Sequence, residues 1–147
     1  VAKKTKYKDE WRKKVYYDKN GYETRRTMKW KQNAVGWWVS VNDGTYLRNC
    51  WQKIDGVWYY FKADGYMASK EWCKGYWLDK NGAWTYKPKA SWHSNKKGWW
   101  YQDTSGWYAK SSWQKIDGKW YYFDAKGYMV TNQKVGQYWV GADGARK

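Results

Sequence analysis

A 17-residue segment of this chain recurs almost unchanged. The segment Trp51–Met67, WQKIDGVWYYFKADGYM, returns at Trp113–Met129 as WQKIDGKWYYFDAKGYM, identical at 14 of 17 positions and offset by 62. The same offset aligns Gly36-Trp37-Trp38 with Gly98-Trp99-Trp100, and Tyr76-Trp77 with Tyr138-Trp139. A fixed period means that one structural unit is used again and again, which restricts the architecture to a stack of like elements. A shorter period lies inside the long one. Trp11, Trp30, Trp51, Trp72, Trp92 and Trp113 open successive units spaced 19, 21, 21, 20 and 21 residues apart, and a seventh unit begins near Lys134. Each unit closes on a turn ending in glycine, from Asn20-Gly21 to Asp143-Gly144.

The unit reads as a β-hairpin. Asp55-Gly56 and Asp117-Gly118 stand between β-prone runs, and a type I′ turn needs positive φ at both of its central residues, which Asp-Gly supplies. No helical periodicity competes, and the single proline, Pro88, falls between units. A lone hairpin of this length is marginal in water, so each must bury its aromatic face against neighbours. The expectation is an all-β solenoid, a superhelix of about seven consecutive hairpins of roughly 20 residues each, forming one domain over residues 1–147.

Composition narrows the function. With 16 Trp and 16 Tyr among 147 residues, rings must serve both as core and as surface, since Trp and Tyr combine an apolar face with a polar tip. The net charge of +16 suits an anionic partner, and equally suits lysines that keep exposed strand edges soluble. Cys50 and Cys73 could bridge in an oxidising compartment or remain free thiols. No apolar run is long enough to span a membrane, and no signal-peptide pattern follows Val1, so the expectation is a fragment of a larger protein.

Catalysis finds little support. His93 is the lone histidine, and Lys31, Gln52 and Gln114 take its place in other units. The carboxylates sit mainly in turns, where Asp serves backbone geometry. No Cys/His spacing suggests a metal and no glycine-rich loop a phosphate cradle, so neither metal nor cofactor is expected. Basic charge mixed with aromatics also fits single-stranded nucleic acid, yet the recognition signatures are absent and no nucleic-acid partner is expected.

The unit W-x₃₋₆-G-x-W-Y-Y-F-x-x-x-G-x-M, best seen in Trp51–Met67 and Trp113–Met129, closely resembles the cell-wall-binding repeat, the choline-binding repeat of Gram-positive surface proteins, autolysins and phage lysins. The resemblance runs from Trp11 to about Arg146. It implies a left-handed superhelix of hairpins with ligand cages between consecutive hairpins, two rings from one repeat and a third from the next. It also implies a secreted, wall-associated, non-catalytic module that recognises choline or phosphocholine on teichoic acid. Glucan-binding repeats of secreted glucosyltransferases and receptor-binding repeats of clostridial toxins look similar, which leaves a glucan or a receptor as the alternative ligand.

Strand side chains alternate in direction, so in Trp58-Tyr59-Tyr60-Phe61 the first and third rings share one face and the second and fourth the other. Carrying the family's pattern onto this sequence implies four cages: Trp30, Trp37 and Tyr60; Trp51, Trp58 and Trp77; Trp92, Trp99 and Tyr122; and Trp113, Trp120 and Trp139. Met67 and Met129 are further candidate lining residues, while Tyr59, Tyr121, Phe61 and Phe123 are assigned to the core. Lys14 and Gly75 replace the first-position Trp in the units opened by Trp11 and Trp72, so no cage is expected after those two. A chain of charge +16 should repel free choline. Phosphocholine on a polymer eases the conflict, because lysines attract phosphate while cages take the ammonium.

Overall fold

A computed structural model describes residues 3–147. Seven antiparallel hairpins follow one another along the described residues. They are β1 (Glu10–Arg12) with β2 (Val15–Tyr17), β3 (Glu23–Gln32) with β4 (Trp37–Val41), β5 (Cys50–Ile54) with β6 (Val57–Phe61), and β7 (Glu71–Cys73) with β8 (Tyr76–Leu78). Then come β9 (Ala90–Asn95) with β10 (Gly98–Asp103), β11 (Ser112–Ile116) with β12 (Lys119–Phe123), and β13 (Gln133–Val135) with β14 (Tyr138–Val140). The chain is all-β, as the repeat predicts, and the opening Trp of each unit lies on the first strand of its hairpin.

The turns explain why the sequence punctuates as it does. Asp55 and Gly56 have φ of 49° and 85°, and Asp117 and Gly118 have 48° and 84°, so both central residues of each turn occupy the left-handed region as a type I′ turn demands. The first hairpin makes the same kind of turn from Lys13 and Lys14, at 49° and 68°, without glycine's relief.

The chain divides into two compact units, Val1–Ser69 together with Lys80–Trp84, and Lys70–Asp79 together with Thr85–Lys147. In the first, β1 pairs in parallel with β5, the first strand two hairpins on, giving a six-stranded sheet of order β4-β3-β2-β1-β5-β6. In the second, β7 pairs in parallel with β11 in a four-stranded sheet of order β12-β11-β7-β8. Three hairpins therefore complete one pattern of pairing, and this is the physical content of the 62-residue period. Each unit has its own core. Trp11, Met28, Val39, Val41, Leu47, Ile54 and Phe61 fill the first. Trp72, Ala90, Tyr101, Ala109, Ile116 and Phe123 fill the second. Phe61 and Phe123 are sealed completely, as expected of them. The Cys50 thiol is half-buried and the Cys73 thiol buried, neither in a disulfide.

Candidate ligand-binding cages

In the first unit, Trp30 on β3 and Trp37 on β4 meet edge to face, with ring centroids 6.3 Å apart and planes at 85°. The third wall is Tyr59, whose ring lies 5.1 Å from Trp30 at 69°. Met67 closes a fourth side, placed there because its N–H donates to the Trp37 carbonyl at 2.7 Å. These residues, with exposed Lys80 and Asn81, line a cavity of about 390 Å³, within the range of small-ligand sites.

The expected partner was Tyr60, and the structure moves the role by one residue. Tyr60 is the cross-strand partner of Trp51 and packs on it at 5.1 Å. Paired residues in a hairpin project from the same face, so Tyr60 belongs with its own opening Trp, and Tyr59, on the opposite face, meets the hairpin before. The expectation that first and third rings share a face holds; the direction of that face was inverted. The same correction applies down the chain. Trp77 pairs with Trp72 and packs on it at 5.3 Å, Tyr122 packs on Trp113 at 5.3 Å, and Trp139 pairs across the hairpin with Lys134. Tyr121 takes the expected place of Tyr122, at 5.0 Å from Trp92, and Tyr138 that of Trp139, at 5.9 Å from Trp113. Tyr59 and Tyr121, expected in the core, are half-buried: they pack against the two cores and also face Trp30 and Trp92.

The other groupings build in the same way. In the second unit, Trp92 and Tyr121 are joined by Met129, whose N–H donates to the carbonyl of Trp99 at 2.7 Å, and Trp99 itself is 49% exposed. Trp51 and Trp58 of the first unit gain Trp84, which sequence reasoning missed. Its N–H donates to the Trp58 carbonyl at 2.9 Å and its ring centroid is 6.1 Å from that of Trp51. Trp77, the expected third wall of this grouping, lies in the second unit. In the second unit, Arg146 N–H donates to the Trp120 carbonyl at 2.9 Å. Its guanidinium carbon lies 4.3 Å from the Tyr138 centroid, 5.5 Å from Trp120 and 5.9 Å from Trp113. The signal for these walls was present in the sequence: Met67, Trp84, Met129 and Arg146 each follow a closing glycine by two residues.

Trp11 and Trp72, whose units lack the first-position Trp, are sealed in the two cores. Trp11 donates its indole N–H to Gln52 Oε1 at 2.8 Å and packs on Tyr16 at 4.9 Å. Trp72 donates to Gln114 Oε1 at 3.2 Å, and Trp107 stacks on it at 5.5 Å and 23°. His93, by contrast, stacks on Trp100 at 5.5 Å and shares a hydrogen bond of 3.2 Å with the Ser91 hydroxyl, on the surface.

Comparison with known proteins finds repeat families along the chain. The choline-binding repeat family matches residues 107–145, and the cell wall binding repeat family matches residues 51–67. A lysin of Pneumococcus phage Dp-1 is 30% identical over 57 residues, 37% of this chain and 19% of the lysin. Glucosyltransferase-S of Streptococcus downei is 33% identical over 51 residues, 35% of this chain and 4% of that enzyme. Among solved structures, the modular autolysin LytC of Streptococcus pneumoniae shares 35% identity over 95% of this chain and 32% of its own, with a TM-score of 0.38. The chain thus spans a small part of the length of the relatives it matches. Its stretches 51–67 and 107–145 match the cell wall binding and choline-binding repeat families.

Proposed function

We propose that this chain is a non-catalytic module that attaches a secreted parent protein to a bacterial cell wall by taking phosphocholine groups of a wall polymer, such as teichoic acid, into its aromatic cages. The observation that carries this reading is the cavity bounded by Trp30, Trp37, Tyr59 and Met67 with Lys80 and Asn81 at its exposed side. Ring faces attract a quaternary ammonium, which needs no hydrogen bond, by about 0.5–2 kcal/mol per well-placed ring. A lysine beside those rings opposes a bare cation and favours a zwitterion whose phosphate reaches it. The net charge of +16 acts in the same sense over a Debye length of about 8 Å. Several weak cages on one chain convert to avid attachment when the polymer presents many phosphocholines.

The test is a titration with choline, phosphocholine and glucose oligomers, followed by tryptophan fluorescence. Saturable changes with the first two are expected, phosphocholine being the tighter at low salt and the gap narrowing as salt rises. Lack of a saturable response to choline or phosphocholine up to tens of millimolar, together with a response to glucose oligomers, refutes the reading. That outcome would favour the glucan alternative, for which the likeness to a glucosyltransferase and the exposure of Trp99 and Trp139, 49% and 57%, are the supporting observations.

A further inference from the structure

The structure assigns to Arg146 the place of a ligand: we propose that its guanidinium is the resident occupant of the cage formed by Trp113, Trp120 and Tyr138, and that it excludes external ammonium ligands from that cage. The inference rests on the reading of the cages as ammonium sites. Its own basis is geometric. The Arg146 guanidinium lies within 6 Å of three ring centroids at once, at 4.3, 5.5 and 5.9 Å, the separation at which a cation gains from ring faces. Trp113 and Tyr138 stand nearly perpendicular, at 83°, so that they form two walls of a corner.

The first unit supplies the control. Trp84 is the residue 62 positions before Arg146, and both donate a backbone hydrogen bond of 2.9 Å to the first-position Trp carbonyl of the hairpin before, Trp58 and Trp120 respectively. The backbone thus delivers the same position to the same place in each unit. In one case that position adds a ring to the cage, and in the other it adds a cation. An arginine suits the role of occupant because its planar, weakly hydrated guanidinium loses less on leaving water than an ammonium does, and stacks on rings. A tethered occupant also competes at an effective concentration of order millimolar, comparable to that at which single weak cages fill.

The backbone around Arg146 does not depend on its side chain. Asp143 Oδ1 accepts from the Ala145 N–H at 3.0 Å, and the Lys147 N–H donates to the Trp139 carbonyl at 2.9 Å. Substitution can therefore empty the cage without unmaking it. Choline stoichiometry by equilibrium dialysis is expected to rise by one site per chain in Arg146→Ala, to remain at the wild-type value in Arg146→Lys, and to rise again in Arg146→Trp, which restores the wall that Trp84 provides. Equal, non-zero stoichiometry in the wild type and Arg146→Ala overturns the exclusion. Occupancy is read separately and with no ligand present: the side-chain resonances of Arg146 are expected at ring-current-shifted positions that collapse toward ordinary values in Trp120→Leu. Unshifted resonances overturn the occupancy. A shifted resonance with no choline bound by either protein refutes the ammonium reading of the cages and leaves Arg146 a structural plug, so the two failures are distinguishable.

Discussion

Replacing Tyr59 and Tyr60 in turn by leucine separates the cage assembled in three dimensions from the one expected from sequence. Tyr59 lies 5.1 Å from Trp30 and lines the cavity with Trp37 and Met67, whereas Tyr60 lies 5.1 Å from Trp51. Leucine keeps much of the bulk and removes the ring quadrupole, so Tyr59→Leu deletes one cation–π wall, about 0.5–1 kcal/mol at a partly exposed site. That is a fall in affinity of about 2- to 5-fold at this cage. The fold should pay modestly: loss of the edge-to-face pair with Trp30 costs about 0.5–1.5 kcal/mol. The assay is a choline titration followed through assigned indole N–H resonances of Trp30 and Trp37, with urea unfolding of each variant alongside. Tyr60→Leu is expected to leave the choline response of Trp30 and Trp37 unchanged and to shift the resonance of Trp51. A weakened response at Trp30 in Tyr60→Leu, with none in Tyr59→Leu, would show that the inverted face assignment is wrong.

Lys80→Ala is expected to remove most of the preference of the Trp30 cage for phosphocholine over choline at low salt, read as a ratio of dissociation constants, because Lys80 is the cationic side chain lining that cavity. Lys14→Gly should stabilise the protein by about 0.5–1 kcal/mol in urea unfolding, since Lys14 turns at φ 68° where glycine is unstrained and the gain outweighs the extra freedom of the unfolded chain. Tyr101 is 2% exposed, and burial pushes its phenol well above the ordinary tyrosine value. Its folded pKa being the higher, the stability it contributes is full below about pH 10 and is lost as pH rises beyond that toward the folded value. Alkaline unfolding should therefore steepen above about pH 10, and Tyr101→Phe should blunt the decline in thermal midpoint; an unchanged alkaline profile in that variant would refute the assignment.

The hairpins were legible because they rest on local chemistry: Asp55-Gly56 and Asp117-Gly118 fix type I′ geometry, and an opening Trp marks the first strand of six of the seven. Which rings alternate was also legible, as strand geometry requires. Which face of Trp58-Tyr59-Tyr60-Phe61 meets the preceding hairpin was not, because alternation fixes parity and says nothing of direction. That direction is set by cross-strand pairing, Trp51 with Tyr60, and by what lies on the other side. Trp84 and Arg146 escaped notice for another reason. They lie outside the named strands, and hydrogen bonds of their N–H groups to the Trp58 and Trp120 carbonyls bring them to the rings.

The pairing of β1 with β5, and of β7 with β11, also explains why the longest repeated motif is the one it is. Every residue of Gln52-Lys53-Ile54-Asp55 serves the hairpin two units earlier. Gln52 Oε1 accepts from the Trp11 indole at 2.8 Å, Lys53 reaches buried Glu10 at 4.0 Å, Ile54 joins the core, and Asp55 Oδ1 accepts from the Lys13 N–H at 2.9 Å. In the second unit Gln114, Lys115, Ile116 and Asp117 do the same for Trp72, Glu71, the second core and Lys74. The motif is a clamp that holds an opening Trp in the core. Trp11 and Trp72 are held under it, while Trp30, Trp51, Trp92 and Trp113 keep faces toward cavities or neighbouring rings. One residue type in one sequence position thus takes two environments, sealed where the hairpin two places further along supplies the clamp and half-buried at Trp30, Trp51, Trp92 and Trp113.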